Sequence, residues 1–148
     1  MMYTAYHGTD KESFEHFNCP AYFAGSIVIA EFFAKRAAEN SYIFQCQLDF
    51  KNPLIVDLDD QPWNSFFLKD EKLQEKITEY AANGDLEELD YFRAYGLTTG
   101  FLVEYAEHAG YDGLIMYNCR DEEGRSGTQY VAFKTEEIFI QNVIPSQA

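Results

Sequence analysis

The sequence predicts an α+β domain, because strand-like segments lie towards both ends of the chain and helix-like segments fill most of its middle. Short apolar runs bounded by Gly, Pro or Asn are typical of strands, whereas apolar residues three and four positions apart are typical of helices. The chain has 148 residues, of which 47% are hydrophobic and 17% aromatic. This is enough for one domain with its own core. No repeat or linker is evident, so residues 1–148 are predicted to form a single domain.

The first half of the chain is predicted to contain three strands and one helix. Ser26 is a suitable N-cap, and the apolar residues after it recur at helical spacing. Asn52-Pro53 interrupts the strand pattern, because proline cannot donate to a strand ladder. The predicted elements are strands at residues 2–7, 41–49 and 54–56 and a helix at residues 26–39.

The second half is predicted to be helical first and then to form strands. Residues 83–85 separate two helical patterns, Thr98 or Thr99 caps a third, and Gly110 ends that third helix. A polar loop at residues 118–127 is predicted to join two of the strands. The predicted elements are helices at residues 68–82, 86–95 and 98–109 and strands at 113–117, 128–133 and 138–144, the last at a sheet edge.

The charge of the chain is strongly negative and unevenly distributed. The net charge is −14, and residues 57–107 carry thirteen acidic against four basic residues, a net charge of −9. Nucleic acid is a poor partner for such a surface. Two interpretations remain open: a solvated helical face, or an acidic surface that docks a basic, nucleic-acid-binding protein. Asp57, Asp59 and Asp60 follow a predicted strand and are interpreted as a solvated turn rather than a magnesium site.

Cysteine and histidine usage gives no indication of a disulfide framework or a metal site. The three cysteines are an odd number without a C-x-x-C pair, and the three histidines are scattered. We therefore expect free thiols, no metal and a reducing compartment. No apolar run approaches 18 residues, and the start of the chain lacks the features of a signal peptide. The expectation is a cytoplasmic monomer without membrane contact.

The segment Tyr6-His7-Gly8-Thr9 is the strongest indication of a binding site. A predicted strand brings a histidine to a glycine, and glycine lets a ligand approach the backbone closely. Tyr22-Phe23-Ala24 follows, and Gln129-Tyr130-Val131 lies near the other end. Histidine and tyrosine offer hydrogen-bonding atoms and flat faces. Together these residue types suit a flat heterocycle joined to a hydroxyl-rich sugar.

These blocks resemble the ADP-ribosyltransferase superfamily, in the His-Tyr-Glu branch that includes the poly(ADP-ribose) polymerases, and especially its small bacterial and phage members. Further similar blocks occur in family order: Asn52-Pro53-Leu54-Ile55-Val56, Gly110-Tyr111-Asp112-Gly113-Leu114-Ile115 and Tyr130-Val131-Ala132-Phe133. The resemblance implies a split, mainly antiparallel β-sheet core with flanking helices, here with an acidic helical insertion at residues 60–109. It also implies NAD as the substrate.

The resemblance assigns roles to individual residues of the predicted site. His7 would bond a ribose hydroxyl, Gly8 would offer its backbone to the nicotinamide carboxamide, and Tyr22 and Phe33 would sandwich the nicotinamide ring. Thr9, Phe23 and Ala24 complete the predicted NAD-binding set. The alternative from the residues alone is that His7 is a core histidine and that Tyr22 and Phe33 are core aromatics.

The chain departs from the family at the third signature position, where Gln129 stands in place of the glutamate. Glutamine can accept a hydrogen bond but has no formal charge with which to stabilise a cationic sugar. Three explanations are open. One of Asp121, Glu122 and Glu123 supplies the charge, or Gln129 suffices for slow single transfer, or the chain binds the nucleotide without turnover.

The sequence thus predicts a mono-ADP-ribosyltransferase that acts on a protein, such as a phage or toxin-like effector, for example an anti-CRISPR protein. The alternative is a non-catalytic acidic module that binds a basic partner. No G-x-S-x-G elbow, phosphate-binding loop or G-x-G-x-x-G fingerprint indicates another enzyme class.

Overall fold

Seven strands form one mixed, mainly antiparallel sheet in the computed structural model, which describes residues 2–9, 17–27, 29–30, 41–84, 86–121 and 124–145, with only the backbone of Leu86 and Glu88. The strands are β1 (Met2–Thr9), β2 (Ala21–Ala24), β3 (Tyr42–Asp49), β4 (Pro53–Asp57), β5 (Gly113–Arg120), β6 (Ser126–Ala132) and β7 (Ile138–Pro145). Their order across the sheet is β4-β5-β6-β2-β1-β3-β7. The predicted α+β class is confirmed.

Three helices lie in the connection between β4 and β5: α1 (Glu71–Gly84), α2 (Leu86–Tyr95) and α3 (Thr99–His108). β4 and β5 are parallel neighbours, and parallel neighbours need a crossover connection. The acidic segment is therefore this crossover, and it carries much of the core. Its buried residues, including Leu58, Phe66, Ile77, Leu97 and Leu102, form one cluster with Leu114, Met116 and Val131 of the sheet.

The helix predictions hold in the crossover except at one boundary. Residues 86–95 are confirmed as helix, and Thr98 caps α3, because its side chain accepts from the backbone N of Phe101 at 3.2 Å. The helix predicted from residue 68 begins at Glu71 instead. Asp70 Oδ1 accepts from the backbone N atoms of Lys72 and Leu73, at 3.1 and 3.2 Å, and so acts as its N-cap.

The strand predictions were incomplete in two places. The loop predicted at residues 118–127 is strand at both ends, since β5 continues to Arg120 and β6 begins at Ser126. The four-residue strand β2 was not predicted, because so short a segment gives no alternation. The strand at the C-terminal end is confirmed as an edge strand. Most of the helix predicted at residues 26–39 lies outside the described residues.

The described residues agree with other expectations about the surface and the thiols. Asp57 Oδ1 accepts from the backbone N of Asp59 at 2.8 Å, and Asp59 pairs with Lys69 at 2.8 Å, which makes this segment a hydrogen-bonded surface turn. Cys19, Cys46 and Cys119 are free.

In the described part of the chain, no helix is long and apolar enough to cross a membrane, and no group of metal ligands occurs.

Glu137 is an acid buried at the base of the edge strand β7. It ends a 3₁₀ turn (Thr135–Glu137), and its Oε1 accepts from the backbone N of Lys134 at 2.9 Å. Its side chain is 8% exposed. Burial, and secondarily the charge of Asp112, raises the pKa of Glu137 to about 7. The protonated form is thus favoured by folding.

We expect Glu137→Gln to change the pH dependence of stability. A carboxyl whose pKa is raised from 4.5 to about 7 contributes stability in full below pH 4.5, and loses it as the pH rises through about 7. Glutamine imitates the protonated form, so the variant should match the wild type near pH 4.5. Above pH 7 it should exceed the wild type by about 1–3 kcal/mol in free energy of unfolding. Denaturant unfolding across this range is the measurement.

Glu136→Gln is the matched control, because it removes the neighbouring, exposed carboxylate. A stability difference between Glu137→Gln and wild type that does not grow between pH 4.5 and 7, or that appears equally in Glu136→Gln, would show that Glu137 is not held in its protonated form.

Candidate functional site

A cavity of about 610 Å³ lies over the junction of β1 and β2, near the middle of the sheet. Strand residues supply one wall and the helical crossover supplies another. The volume is within the range of small-molecule sites. The described residues that line it are Tyr6, His7, Gly8, Tyr22, Phe23, Ala24, Ala30, Trp63, Thr99, Gly100 and Gln129.

The junction of β1 and β2 is short. Among the described residues, a single residue pair, Tyr6 with Ala24, joins the two strands. A side chain also bridges the two strands: His7 Nδ1 lies 2.7 Å from the backbone O of Tyr22. His7 lines the cavity beside this junction.

The hydrogen bond to the backbone O of Tyr22 determines which ring nitrogen of His7 carries the proton. A carbonyl oxygen only accepts, so Nδ1 carries the proton and, in the neutral ring, Nε2 is an acceptor. Burial lowers the pKa of His7 below 6.5, and the bond to the Tyr22 carbonyl opposes this only in part. The edge of Phe17 and the tilted ring of Phe23 pack against the imidazole, with centroids at 5.1 and 5.6 Å. His7 is thus a fixed, neutral hydrogen-bond acceptor.

Tyr22 and Gln129 approach the same cavity from two further strands. Gln129 of β6 pairs with Ala24 of β2, and Ala24 pairs with Tyr6 of β1. Directly paired residues project to the same face of a sheet, so Tyr6, Ala24 and Gln129 form one row across three strands. Tyr22, two residues before Ala24, projects to that face as well and is 45% exposed. The ring is therefore accessible to a flat ligand.

The crossover supplies the wall that the sheet lacks. Thr99 anchors this wall, because its backbone N and Oγ1 both donate to the backbone O of Trp63, at 3.0 and 2.7 Å. Trp63 and Gly100 then line the cavity with Thr99. Thr99 and Gly100 belong to the first turn of α3, where the helix dipole favours negative charge.

The structure brings together most of the residues predicted for the site. His7, Gly8, Tyr22, Phe23, Ala24 and Gln129 line one cavity, although Thr9 is not among its described lining residues. Phe33, Glu122 and Glu123 lie outside the described residues. Tyr6 belongs to the segment singled out in the sequence but had no role assigned to it, and sequence reasoning missed Ala30, Trp63, Thr99 and Gly100. The Thr98 cap locates the start of α3 but not its position beside the cavity.

Asp121 lies outside the described lining of the cavity. It occupies the turn between β5 and β6, and its Oδ1 accepts from the backbone N of Arg125 at 2.9 Å. Its own backbone N donates to the backbone O of Arg125. The side chain is buried in this turn and is not among the described residues that line the cavity. Asp121 therefore stabilises the turn of the hairpin.

Two solved structures have a similar fold at low sequence identity. A chain of the M. tuberculosis MbcT–MbcA toxin–antitoxin complex is 11% identical with a TM-score of 0.50, and the match covers 98% of this chain and 84% of that one. An anti-CRISPR protein is 17% identical with a TM-score of 0.48, over 98% and 96% of the two chains. No family model and no curated protein sequence matches the chain. The first likeness shows a shared fold.

We expect nitrogen-15 NMR of the imidazoles to find His7 as the neutral, Nδ1-protonated tautomer at pH 7. Its titration midpoint should lie below 6.5, because burial disfavours the imidazolium. Correspondingly, its contribution to stability should be lost as the pH falls below 6.5 and the unfolded state takes up the proton first. Loss of one resonance in His7→Ala assigns the signal. A midpoint above 6.5, or protonation at Nε2 in the neutral ring, would contradict this geometry.

Proposed function

We propose that the protein is an NAD-dependent mono-ADP-ribosyltransferase that modifies a protein. The observation that carries the proposal is that His7, Tyr22 and Gln129, from three different strands, line a single cavity together with Gly8. These are the residues at which the sequence resembles the His-Tyr-Glu signature. The three residues lie far apart in the sequence, and it is the fold that brings them together in one cavity.

The cavity offers suitable contacts to the nicotinamide, a ribose and the pyrophosphate of NAD. The exposed face of Tyr22 suits the nicotinamide ring, and the acceptor atom of neutral His7 suits a ribose hydroxyl. Gly100, in the first turn of α3 and near the positive end of the helix dipole, suits the pyrophosphate. A Cβ atom added at Gly100 would meet no atom within 4 Å, so the backbone there is open to a ligand.

The reaction would break the bond between nicotinamide and C1′ of the ribose. Nicotinamide leaves with the bonding electron pair and becomes neutral, while positive charge develops on the sugar. A nucleophile of the target then bonds to C1′ and loses its proton. His7, Tyr22 and Gly8 would hold the substrate in the reactive orientation, and Gln129 would accept a hydrogen bond from a ribose hydroxyl. A neutral amide stabilises the cationic sugar less than a carboxylate does, so transfer should be slow.

The alternative is a non-catalytic module that uses the same fold to bind a basic protein. One observation favours it: none of the described residues that line the cavity carries a carboxylate. The crossover, with a net charge of −9 over residues 57–107, would then be the functional surface. Such a module should lose its effect when salt is raised and keep it in His7→Ala.

Release of nicotinamide from NAD, with and without a bacterial lysate, tests the proposal. We expect release from the wild type and none above background from His7→Ala, because the ribose contact is lost. Gln129→Glu should release nicotinamide faster, on the order of a hundredfold, since it restores a charge beside the developing cation. Labelled NAD should place ADP-ribose on a protein band in the lysate.

The control for Gln129→Glu is Gln141→Glu, the same change at an exposed position on β7. It should release nicotinamide at the wild-type rate. Release by Gln129→Glu but not by the wild type would favour a binding module that has lost catalysis. If neither protein releases nicotinamide although both samples are folded, the transferase proposal is rejected.

A further inference from the structure

A second cavity, of about 260 Å³, lies in the crossover where α2 ends and α3 begins. The buried side chains of Phe92 and Leu97 form its floor, with 6% and 1% exposure. We refer to it as the tyrosine groove, after Tyr91, the exposed aromatic residue among those that line it. The described residues that line it are Tyr91, Phe92, Gly96, Leu97, Thr98 and Phe101.

Two exposed tyrosines lie side by side at the tyrosine groove: Tyr91 lines it, and Tyr95 contacts the ring of Tyr91. Tyr91 and Tyr95 are 53% and 62% exposed, and their ring centroids lie 4.9 Å apart. Their four-residue spacing places both on one face of α2. The backbone O of Tyr95 accepts from Ser65 Oγ at 2.6 Å, which fixes the end of the helix. Adjacent exposed aromatic rings on a fixed backbone are typical of protein-binding surfaces.

The charge around the tyrosine groove specifies the partner. Glu87 lies one helical turn before Tyr91, and Asp90 is its exposed neighbour. Glu104, also exposed, lies one turn after Phe101. Tyrosine faces attract cations, and carboxylates beside them add to that attraction. A second copy of this chain would instead bring like charges together, so an arginine- or lysine-bearing segment is the better occupant.

The groove lies next to the candidate active site. Thr98 lines the groove, and Thr99 and Gly100 line the cavity assigned to NAD. Successive Cα atoms are about 3.8 Å apart, so the linings of the two cavities adjoin along the chain at Thr98 and Thr99.

We propose that the tyrosine groove docks a basic segment of the target protein, with an arginine or lysine side chain against Tyr91 and Tyr95. The role of this docking in catalysis rests on the proposed transferase function, whereas the docking itself does not. The groove selects the target, and its position presents a nearby side chain of that segment to the NAD cavity.

Fluorescence anisotropy with a labelled oligoarginine peptide tests the docking. Tyr91→Ser/Tyr95→Ser removes the two rings without changing the net charge, and should weaken binding about tenfold. The matched control is Phe139→Ser/Val143→Ser, which removes two exposed apolar side chains from β7. It should bind as the wild type does. Thermal unfolding verifies that each variant is folded.

Two results would overturn the docking proposal. The first is equal peptide binding by wild type and Tyr91→Ser/Tyr95→Ser, since attraction to the overall negative charge would then explain all binding. The second is a wild-type dimer that this variant abolishes, which would make the groove an interface between copies. Nicotinamide release from NAD in the presence of the bacterial lysate, measured on the same samples, separates the proposals: tyrosine-dependent binding without release retains the docking and rejects the transferase.

Discussion

The short junction between β1 and β2 is the constraint on which the candidate site depends. One residue pair, Tyr6 with Ala24, joins the strands within the described chain, and His7 bonds from β1 to the backbone carbonyl of Tyr22 in β2. The same bond fixes the imidazole, its tautomer and the position of Tyr22. Fold and site chemistry therefore depend on one interaction.

The acidic crossover has both a structural and a functional part in this arrangement. Its buried face packs on the sheet and is required because β4 and β5 run parallel. The first turn of α3 and Trp63 line the cavity on the side of the crossover. The outer face of the crossover carries the acidic residues and the tyrosine groove. One segment thus connects the core, the ligand cavity and the surface proposed for the target.

Local patterns in the sequence predicted the elements, but not every contact. The Thr98 cap and the Gly110 stop are local signals, and α3 has the predicted bounds within a residue. The convergence of His7, Tyr22 and Gln129 was anticipated through resemblance. The contribution of Trp63 and Gly100 was not anticipated, because it depends on the crossover. The crossover brings Trp63 into contact with Thr99, which lies 36 positions later in the chain. The hypothesis that one of Asp121, Glu122 and Glu123 replaces the missing glutamate stays a prediction, and the structure adds that the Asp121 carboxylate bonds to the backbone N of Arg125 within its turn.

Binding of NAD in the cavity over the β1–β2 junction is the central claim, and tryptophan fluorescence tests it most directly. Trp63 is the sole tryptophan of the chain and lines this cavity, so its emission reports what enters. Titration with NAD should produce a saturable change in emission, and His7→Ala should require a higher NAD concentration for the same change. ATP, which lacks the nicotinamide ribose, serves as the comparison ligand. No saturable change at millimolar NAD, or an identical curve for His7→Ala, would contradict the account.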